Sequence, residues 1–237
     1  MKTNSHSLNN RTTSASADSP GSAPARILIV DDHPIVRRAV HHIIKKEPDL
    51  ELSWEASDAN EAMHILETEK PDLAIIDISL KGRSGLDLIK DMRAQGLKCP
   101  VLVLSMHEDT TYAERSLRAG AQGYVMKNEP PQIIIDALRK IRTGDIFVCD
   151  RIATRLLSRF VGHKQDTQTT DLLNVLSDRE FDVFQHIGQG QSTREIAAEL
   201  NLSVSTIETH KSNIKQKLNI QTASALAKSA AEWLLGK

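Results

Sequence analysis

The sequence predicts an α/β unit, a doubly wound (βα)₅ parallel sheet, followed by a small all-α unit of four helices. Three observations carry this. Short apolar runs alternate with helix-length amphipathic segments between residues 26 and 143. Three of the five runs are continuous and flanked by polar residues, as strands buried on both faces require. From Leu172 onward only helical patterns remain, punctuated by Gly188, Gly190 and Asn201.

The strand candidates are Ile27–Val30, Leu50–Trp54 (the loosest), Leu73–Ile76, Val101–Leu104 and Gly123–Met126. Between them lie helices with recognisable starts. Pro34 suits a first turn, after which Val36, Val40, Ile43 and Ile44 share one face until Pro48. Asp58 stands three residues before Glu61 as a cap, and Gly85 precedes Leu86, Leu88, Ile89 and Met92. Pro130–Pro131 open the segment that carries Ile134, Ile135, Leu138 and Ile141. Residues 144–160 read as a short extended piece and a further helix, and 161–171 as a polar, flexible tether. The expected division is a disordered tail at 1–25, an α/β unit at 26–143, a linker helix and tether at 144–172, and a helical unit at 173–237.

With 40% hydrophobic residues but only 3% aromatics, the cores must be built from Leu, Ile, Val and Ala. No apolar run approaches the roughly 18 residues of a membrane span, and residues 1–25 lack the apolar segment of a secretory signal. Cys99 and Cys149 are too few for a disulfide framework and read as buried thiols. The net charge of −1 gives no global footprint for nucleic acid, so any basic character must be local.

Ligands of open α/β sheets bind at the carboxyl ends of strands. Asp31 and Asp32 follow ILIV, Asp77 follows LAII, Ser105 follows VLVL and Lys127 follows GYVM. Each alone has a plain structural reading, as a cap, a turn residue or a solvated lysine. Together they set three carboxylates, a hydroxyl and an ammonium around one edge. Crowded carboxylates call for a hard divalent cation, and Mg²⁺ takes oxygen ligands while accepting phosphate oxygens. A carboxylate beside Mg²⁺ and an ammonium can serve as nucleophile toward a phosphoryl group.

On these residues the segment 26–143 resembles a response-regulator receiver domain of flavodoxin-like fold. The resemblance implies Asp77 as phosphoacceptor and Asp31, Asp32, Asp77 and the Ser79 main-chain carbonyl as Mg²⁺ ligands. It implies Ser105 and Tyr124 as switch residues and Lys127 as the phosphate's partner. That family commonly has proline four residues after the phosphoacceptor; here Lys81 stands there, read either as a tolerated loop change or as a means of altering phosphoryl lifetime. A phosphatase acting on external esters would carry a second Asp two residues beyond its nucleophile, where this chain has Ser79. No turnover of an external substrate is therefore expected; the receiver catalyses only its own phosphorylation and dephosphorylation.

The C-terminal unit holds three Ser-x-x-Glu capping boxes, Ser177/Glu180, Ser192/Glu195 and Ser205/Glu208. They predict helices near 178–188, 193–200 and 204–218, with a fourth near 222–235. Asn201-Leu202-Ser203 has the length of a helix-turn-helix turn. On a wheel of about 100° per residue, Ile207, Ile214 and Leu218 face inward while Ser205, Thr209, Ser212 and Gln216 face out. Residues 203–220 carry Lys211, Lys215 and Lys217 against Glu208, yet residues 171–237 hold seven Lys/Arg and eight Asp/Glu, which favours a protein-binding bundle on charge alone.

The segment from Leu176 to Asn219 nevertheless closely resembles the LuxR-type helix-turn-helix, and with the receiver this is the arrangement of the NarL/FixJ response regulators. The resemblance implies a helix-turn-helix span from Ser192 to Lys211 and a reading helix in the major groove. It implies base contacts by Glu208, Thr209 and Ser212 and phosphate contacts by Thr206, Lys211 and Lys215. His210 reads as a packing residue, and Trp233 and Leu234 as either dimer seam or core. The implied protein is a cytoplasmic transcription factor, without membrane contact, phosphorylated by a sensor histidine kinase. It binds double-stranded promoter DNA as a phosphorylated homodimer, with RNA polymerase as a further contact. The alternative is a constitutive DNA binder whose receiver serves only for dimerisation.

Overall fold

The computed structural model describes residues 23–106, 110–160 and 175–235. The first 22 residues of the expected tail, and the whole of the expected tether, lie outside them. Six strands form one parallel sheet: β1 (Ala25–Val30), β2 (Leu50–Ala56), β3 (Leu73–Asp77), β4 (Val101–Ser105), β5 (Gly123–Met126) and β6 (Phe147–Val148). Their order is β2-β1-β3-β4-β5-β6. The helices α1 (Pro34–Ile44), α2 (Ala59–Thr68), α3 (Gly85–Ala94), α4 (Thr110–Ala119) and α5 (Pro131–Arg142) alternate with the first five strands.

Side chains of successive strand residues point to opposite faces. Leu28, Val30, Ala74, Ile76 and Val103 therefore pack with α2, α3 and α4, while Ile27, Ile29, Ile75, Leu102 and Leu104 pack with α1 and α5. Each fully buried aliphatic side chain contributes about 1.5–3 kcal/mol. The starts of the helices follow the sequence. Pro34 and Pro131 occupy first turns, and Asp58 accepts hydrogen bonds from the amides of Asn60 and Glu61 at 2.9 and 3.0 Å. The short extended piece after α5 is a strand of the sheet: Phe147 and Val148 pair with Gly123 and Tyr124 of β5. It is followed by α6 (Asp150–Phe160), which lies against α4.

The sheet order reverses direction between β1 and β3, opening a crevice at their carboxyl ends. Gly85 shapes its floor. Its amide donates to the Ile78 carbonyl at 2.7 Å, and a Cβ at this position would lie 1.9 Å from the main-chain oxygen of Asp77. Only glycine lets α3 close so tightly on the end of β3.

The C-terminal helices are α7 (Asp178–Gly188), α8 (Thr193–Glu199), α9 (Val204–Lys217) and α10 (Ala223–Leu235). Two of the three expected capping boxes form, at Ser177/Glu180 and Ser192/Glu195. The third does not. Ser203 caps α9, accepting from the Thr206 amide at 3.0 Å, which leaves Ser205 inside the helix and Glu208 available for other partners. Trp233 packs edge-on against Phe181, with ring centroids 5.2 Å apart, and so belongs to the core of this unit. Cys99 and Cys149 are half-buried rather than buried, and burial pushes the Cys99 thiol up to about 12, which leaves it protonated and inert.

Gly85→Ala is expected to destabilise the α/β unit by about 2–3 kcal/mol, the scale of overpacking against rigid backbone, as read by urea denaturation. An unchanged midpoint would show that α3 can shift away from Asp77.

Candidate functional site

The strand ends bring the acidic residues and the lysine into one cluster. Lys127 Nζ lies 2.7 Å from Asp31 Oδ2 and 2.7 Å from Asp77 Oδ2, with all three side chains at most 10% exposed. The Lys127 amide donates to the Ser105 carbonyl at 2.8 Å, which fixes the backbone that carries the ammonium. Ser105 and Tyr124 are both buried on neighbouring strands. The Ser79 amide donates to the Asp77 carboxylate. That contact engages the amide and leaves the Ser79 carbonyl, the expected Mg²⁺ ligand, as a separate group. Lys81, at the departure from the receiver pattern, is exposed.

Burial pushes the Asp77 carboxyl above its ordinary value. Lys127 opposes that, and the nearby charge of Asp31 adds to it. Burial also draws Lys127 down, but its contacts with Asp77 and Asp31 outweigh this and hold the ammonium above its usual value. One cation thus faces more negative charge than it neutralises.

Asp31, Asp32 and Asp77, together with His33, offer ligand atoms within 4.8 Å of one another. Asp32 Oδ1 is buried without a hydrogen bond, although the His33 ring nitrogen lies 2.9 Å away in ion-pair contact. A buried carboxylate oxygen whose nearest polar partner is a His ring, set beside two further carboxylates, is what a hard, oxygen-seeking divalent cation requires. The residues present therefore fit Mg²⁺. Sequence reasoning missed two supports. The His33 amide and ring both contact Asp31 Oδ1, and Arg37 donates to the Asp31 carbonyl at 2.6 Å. The adjacency of His33 to the acidic pair was a usable signal, and Arg37 lies one helical turn further on.

In the second unit, Ser205, Glu208, Thr209, Ser212 and Gln216 are exposed on α9, while Ile207 and Ile214 are buried. Thr206, Lys211 and Lys215 flank that face at intermediate exposure. Glu208 is held from two sides, accepting from the Thr193 hydroxyl on α8 and from Lys211, each at 2.9 Å. Those contacts hold its carboxyl below the usual range. His210 is half-buried and burial lowers its pKa, in keeping with a packing role. Lys217 turns inward to Glu180 at 2.6 Å, so the local charge counted from sequence overstates what α9 presents outward.

The two units meet at a seam between α4 and α7 that no local pattern announced. Tyr112 donates to Asp182 at 2.6 Å and stacks edge-on against Phe181. Arg115 reaches Asp178 at 2.7 Å and lies over the Phe181 ring, 4.3 Å from its centroid, while Lys90 on α3 meets Asp178 at 2.6 Å. Burial raises the Asp182 carboxyl to about 6 against the pull of Tyr112 and Arg179. The partners lie 63 to 88 residues apart in sequence, beyond any periodicity or motif.

Two family models match the chain, the response regulator receiver domain over residues 27–139 and the bacterial regulatory proteins of the luxR family over 174–230. The oxygen regulatory protein NreC of Staphylococcus haemolyticus is 34% identical over 208 residues, covering 86% of this chain and 96% of that protein. The nitrate/nitrite response regulator NarP of Escherichia coli is 31% identical over 203 residues, covering 86% and 93%. The chain belongs to the NarL/FixJ family of response regulators. Among solved structures it is similar to the response regulator RcsB in an RcsB–DNA complex, at 25% identity, a TM-score of 0.54, and coverage of 88% of this chain and 98% of that one. This NarL/FixJ-family protein is therefore a DNA-binding two-component response regulator. Among its described residues no helix is long and apolar enough to cross a membrane.

Two outcomes are expected. Because the Asp77 pKa is raised in the folded state, the stability this group contributes is fully present below its unfolded value and is lost as pH rises through the folded one. Without Mg²⁺ at neutral pH, Asp77→Asn is expected to stabilise the receiver on the order of 1 kcal/mol and to flatten its pH–stability curve in calorimetry; a lower melting temperature would refute the burial argument. On α9, Lys215→Ala is expected to weaken DNA binding for all sequences and reduce the salt slope by about 1. Glu208→Ala is expected to relax base preference at one position by about 1–3 kcal/mol, as read by fluorescence anisotropy over a set of operator variants.

Proposed function

We propose that Asp77 is the phosphoacceptor of a two-component phosphorelay and that its modification controls dimerisation and promoter binding. The observation that carries the first part is Lys127, whose ammonium contacts both Asp31 and Asp77 at 2.7 Å. An Asp77 carboxylate oxygen attacks the phosphorus of a sensor kinase's phosphohistidine. The P–O bond forms as the P–N bond breaks, and the released imidazole takes up a proton. A divalent cation held by Asp31, Asp32 and Asp77 supplies charge neutralisation for the phosphoryl oxygens. Lys127 steadies the same oxygens from the side of β5, and the buried Asp32 oxygen, without a hydrogen bond, supports the ligand assignment. Ser105, at the end of β4, is the hydroxyl that meets the phosphoryl group, and buried Tyr124 is its packing partner in the switch.

Control of DNA binding is proposed to pass through the α4–α7 seam. The last residue of β4 is Ser105, and α4 begins at Thr110, so a shift of the hydroxyl is transmitted within a few residues to Tyr112 and Arg115. This is a two-state element that both the phosphoryl site and the DNA-binding unit can bias. Because the outer face of α9 is already exposed with the seam closed, release is proposed to act on the pairing of two DNA-binding units rather than by uncovering the reading helix. Glu208, Thr209 and Ser212 read bases, and Thr206, Lys211 and Lys215 meet phosphates. The relative RcsB, solved in complex with DNA, supports DNA as the partner, and a helix of this kind suits the major groove. The partners are a sensor histidine kinase, promoter DNA, a second copy of the chain and RNA polymerase, all in the cytoplasm.

The exposed reading face also favours a second reading, a constitutive DNA binder whose receiver only dimerises. Acetyl phosphate with Mg²⁺ separates the two. On the first reading it raises operator affinity of wild type about tenfold, has no effect on Asp77→Asn, and Arg115→Gln binds tightly without it. Equal affinity of wild type with and without acetyl phosphate favours the second.

A further inference from the structure

We infer that the crevice where the receiver meets the DNA-binding unit is a binding site for a small phosphorylated anion, seated between α3, α4 and the segment entering α7. The crevice has a volume of about 330 Å³, at the lower end of small-ligand pockets. Lys90 and Arg93 line it from α3 and Arg115 and Arg118 from α4, while Leu176 and Asp178 line it from the DNA-binding unit. Four cations thus share one carboxylate in the lining. Among the described residues two more carboxylates reach the cations from outside, Glu114 to Arg118 at 2.6 Å and Asp87 to Lys90 at 3.8 Å, which leaves three carboxylates for four cations.

Arg93 is the centre of the imbalance. Its guanidinium donates to the carbonyls of Gly120, Leu97 and Cys99 at 2.6–3.1 Å and to the Gln122 side chain, partners that are all neutral. These bonds aim and immobilise the group without neutralising it, and burial works against its charge. Those bonds occupy most of the Arg93 N–H donors, so Arg93 contributes fixed positive charge without a counter-carboxylate, while the more exposed Arg118 and Lys90 at the same cavity are the groups that would donate to a phosphoryl oxygen. Leu176 and Ala119 add an apolar wall that a small carbon skeleton could cover.

Such an anion would touch both halves of the protein at once. It would add to the negative charge that Asp178 brings from the DNA-binding unit and so hold α3 and α4 to the entry of α7. That clamping role rests on the gating proposed above; the binding itself does not. Calorimetric titration of the full chain, free of Mg²⁺, DNA and phosphoryl donor, with inorganic phosphate, pyrophosphate and glycerol 3-phosphate tests it.

Wild type is expected to bind at least one of these in the millimolar range or tighter. Arg118→Gln, a change at a side chain 63% exposed, should weaken that binding about tenfold, with Arg118→Lys in between. Lys228→Gln on α10, at a side chain 77% exposed and away from the crevice, should leave it unchanged. Tighter binding of glycerol 3-phosphate than of inorganic phosphate identifies an ester as the ligand; equal binding identifies free phosphate. The inference is overturned if none binds below about 10 mM, or if Arg118→Gln weakens binding no more than Lys228→Gln does. Failure here leaves the acetyl phosphate experiment, and the reading it tests, untouched.

Discussion

The ammonium of Lys127, set between Asp31 and Asp77, is the contact on which the receiver depends. Carboxylates this close and this buried repel one another at short range in a medium that screens poorly. Their coexistence requires a cation, and the sheet supplies one from two strands away, since β5 is separated from β3 by β4. Strand order, the tight floor at Gly85 and the Ser105 carbonyl that fixes the Lys127 backbone all serve that placement. One ammonium cannot balance three carboxylates. A site built this way is held together without ligand yet retains a demand for positive charge, the demand that a divalent cation would meet.

The seam repeats this logic in another form. Asp178 and Asp182 are almost fully buried, and each is satisfied by residues of the other unit. Buried ion pairs contribute little net stability against apolar packing, but breaking one leaves an uncompensated charge. A contact of this kind therefore either closes fully or opens. The aromatic packing of Tyr112, Phe181 and Trp233 makes the α4–α7 joint continuous with the core of the C-terminal unit, so a movement of α4 must repack that core or separate from it.

The parts of this architecture that the sequence reveals are those with short-range causes. Continuous apolar runs marked the buried parallel strands, and polar residues just beyond them marked the site, because a strand delivers its last residue to a sheet edge whatever the rest of the chain does. Caps were legible for the same reason, and the exception is informative. Ser205 matched the spacing of a box, but Ser203 lay two residues earlier with equal chemistry and took the first turn. Glu208 was then drawn by Thr193, fifteen residues away. The sheet's sixth strand was too short to show a period. The α4–α7 seam was invisible because Asp178 reads as a first-turn acid and Tyr112 as a core residue; each is also that, and only their meeting in space adds the second role.

The weak charge of the DNA-binding unit takes on meaning in this light. Affinity for duplex DNA grows with the number of phosphates neutralised. Here Lys217 is committed to Glu180 and Lys211 is shared with Glu208, leaving few cations directed outward from α9. On that charge a single unit is expected to hold DNA weakly even with the outer face of α9 open. Two units linked through their receivers bind with the advantage of effective concentration, which can exceed either alone by about 10²–10⁴ without any new contact. A regulator that leaves its reading helix exposed can therefore still be silent, provided that pairing is what phosphorylation controls. The low charge that argued against DNA binding at the level of composition is what would make control by pairing, as proposed, effective.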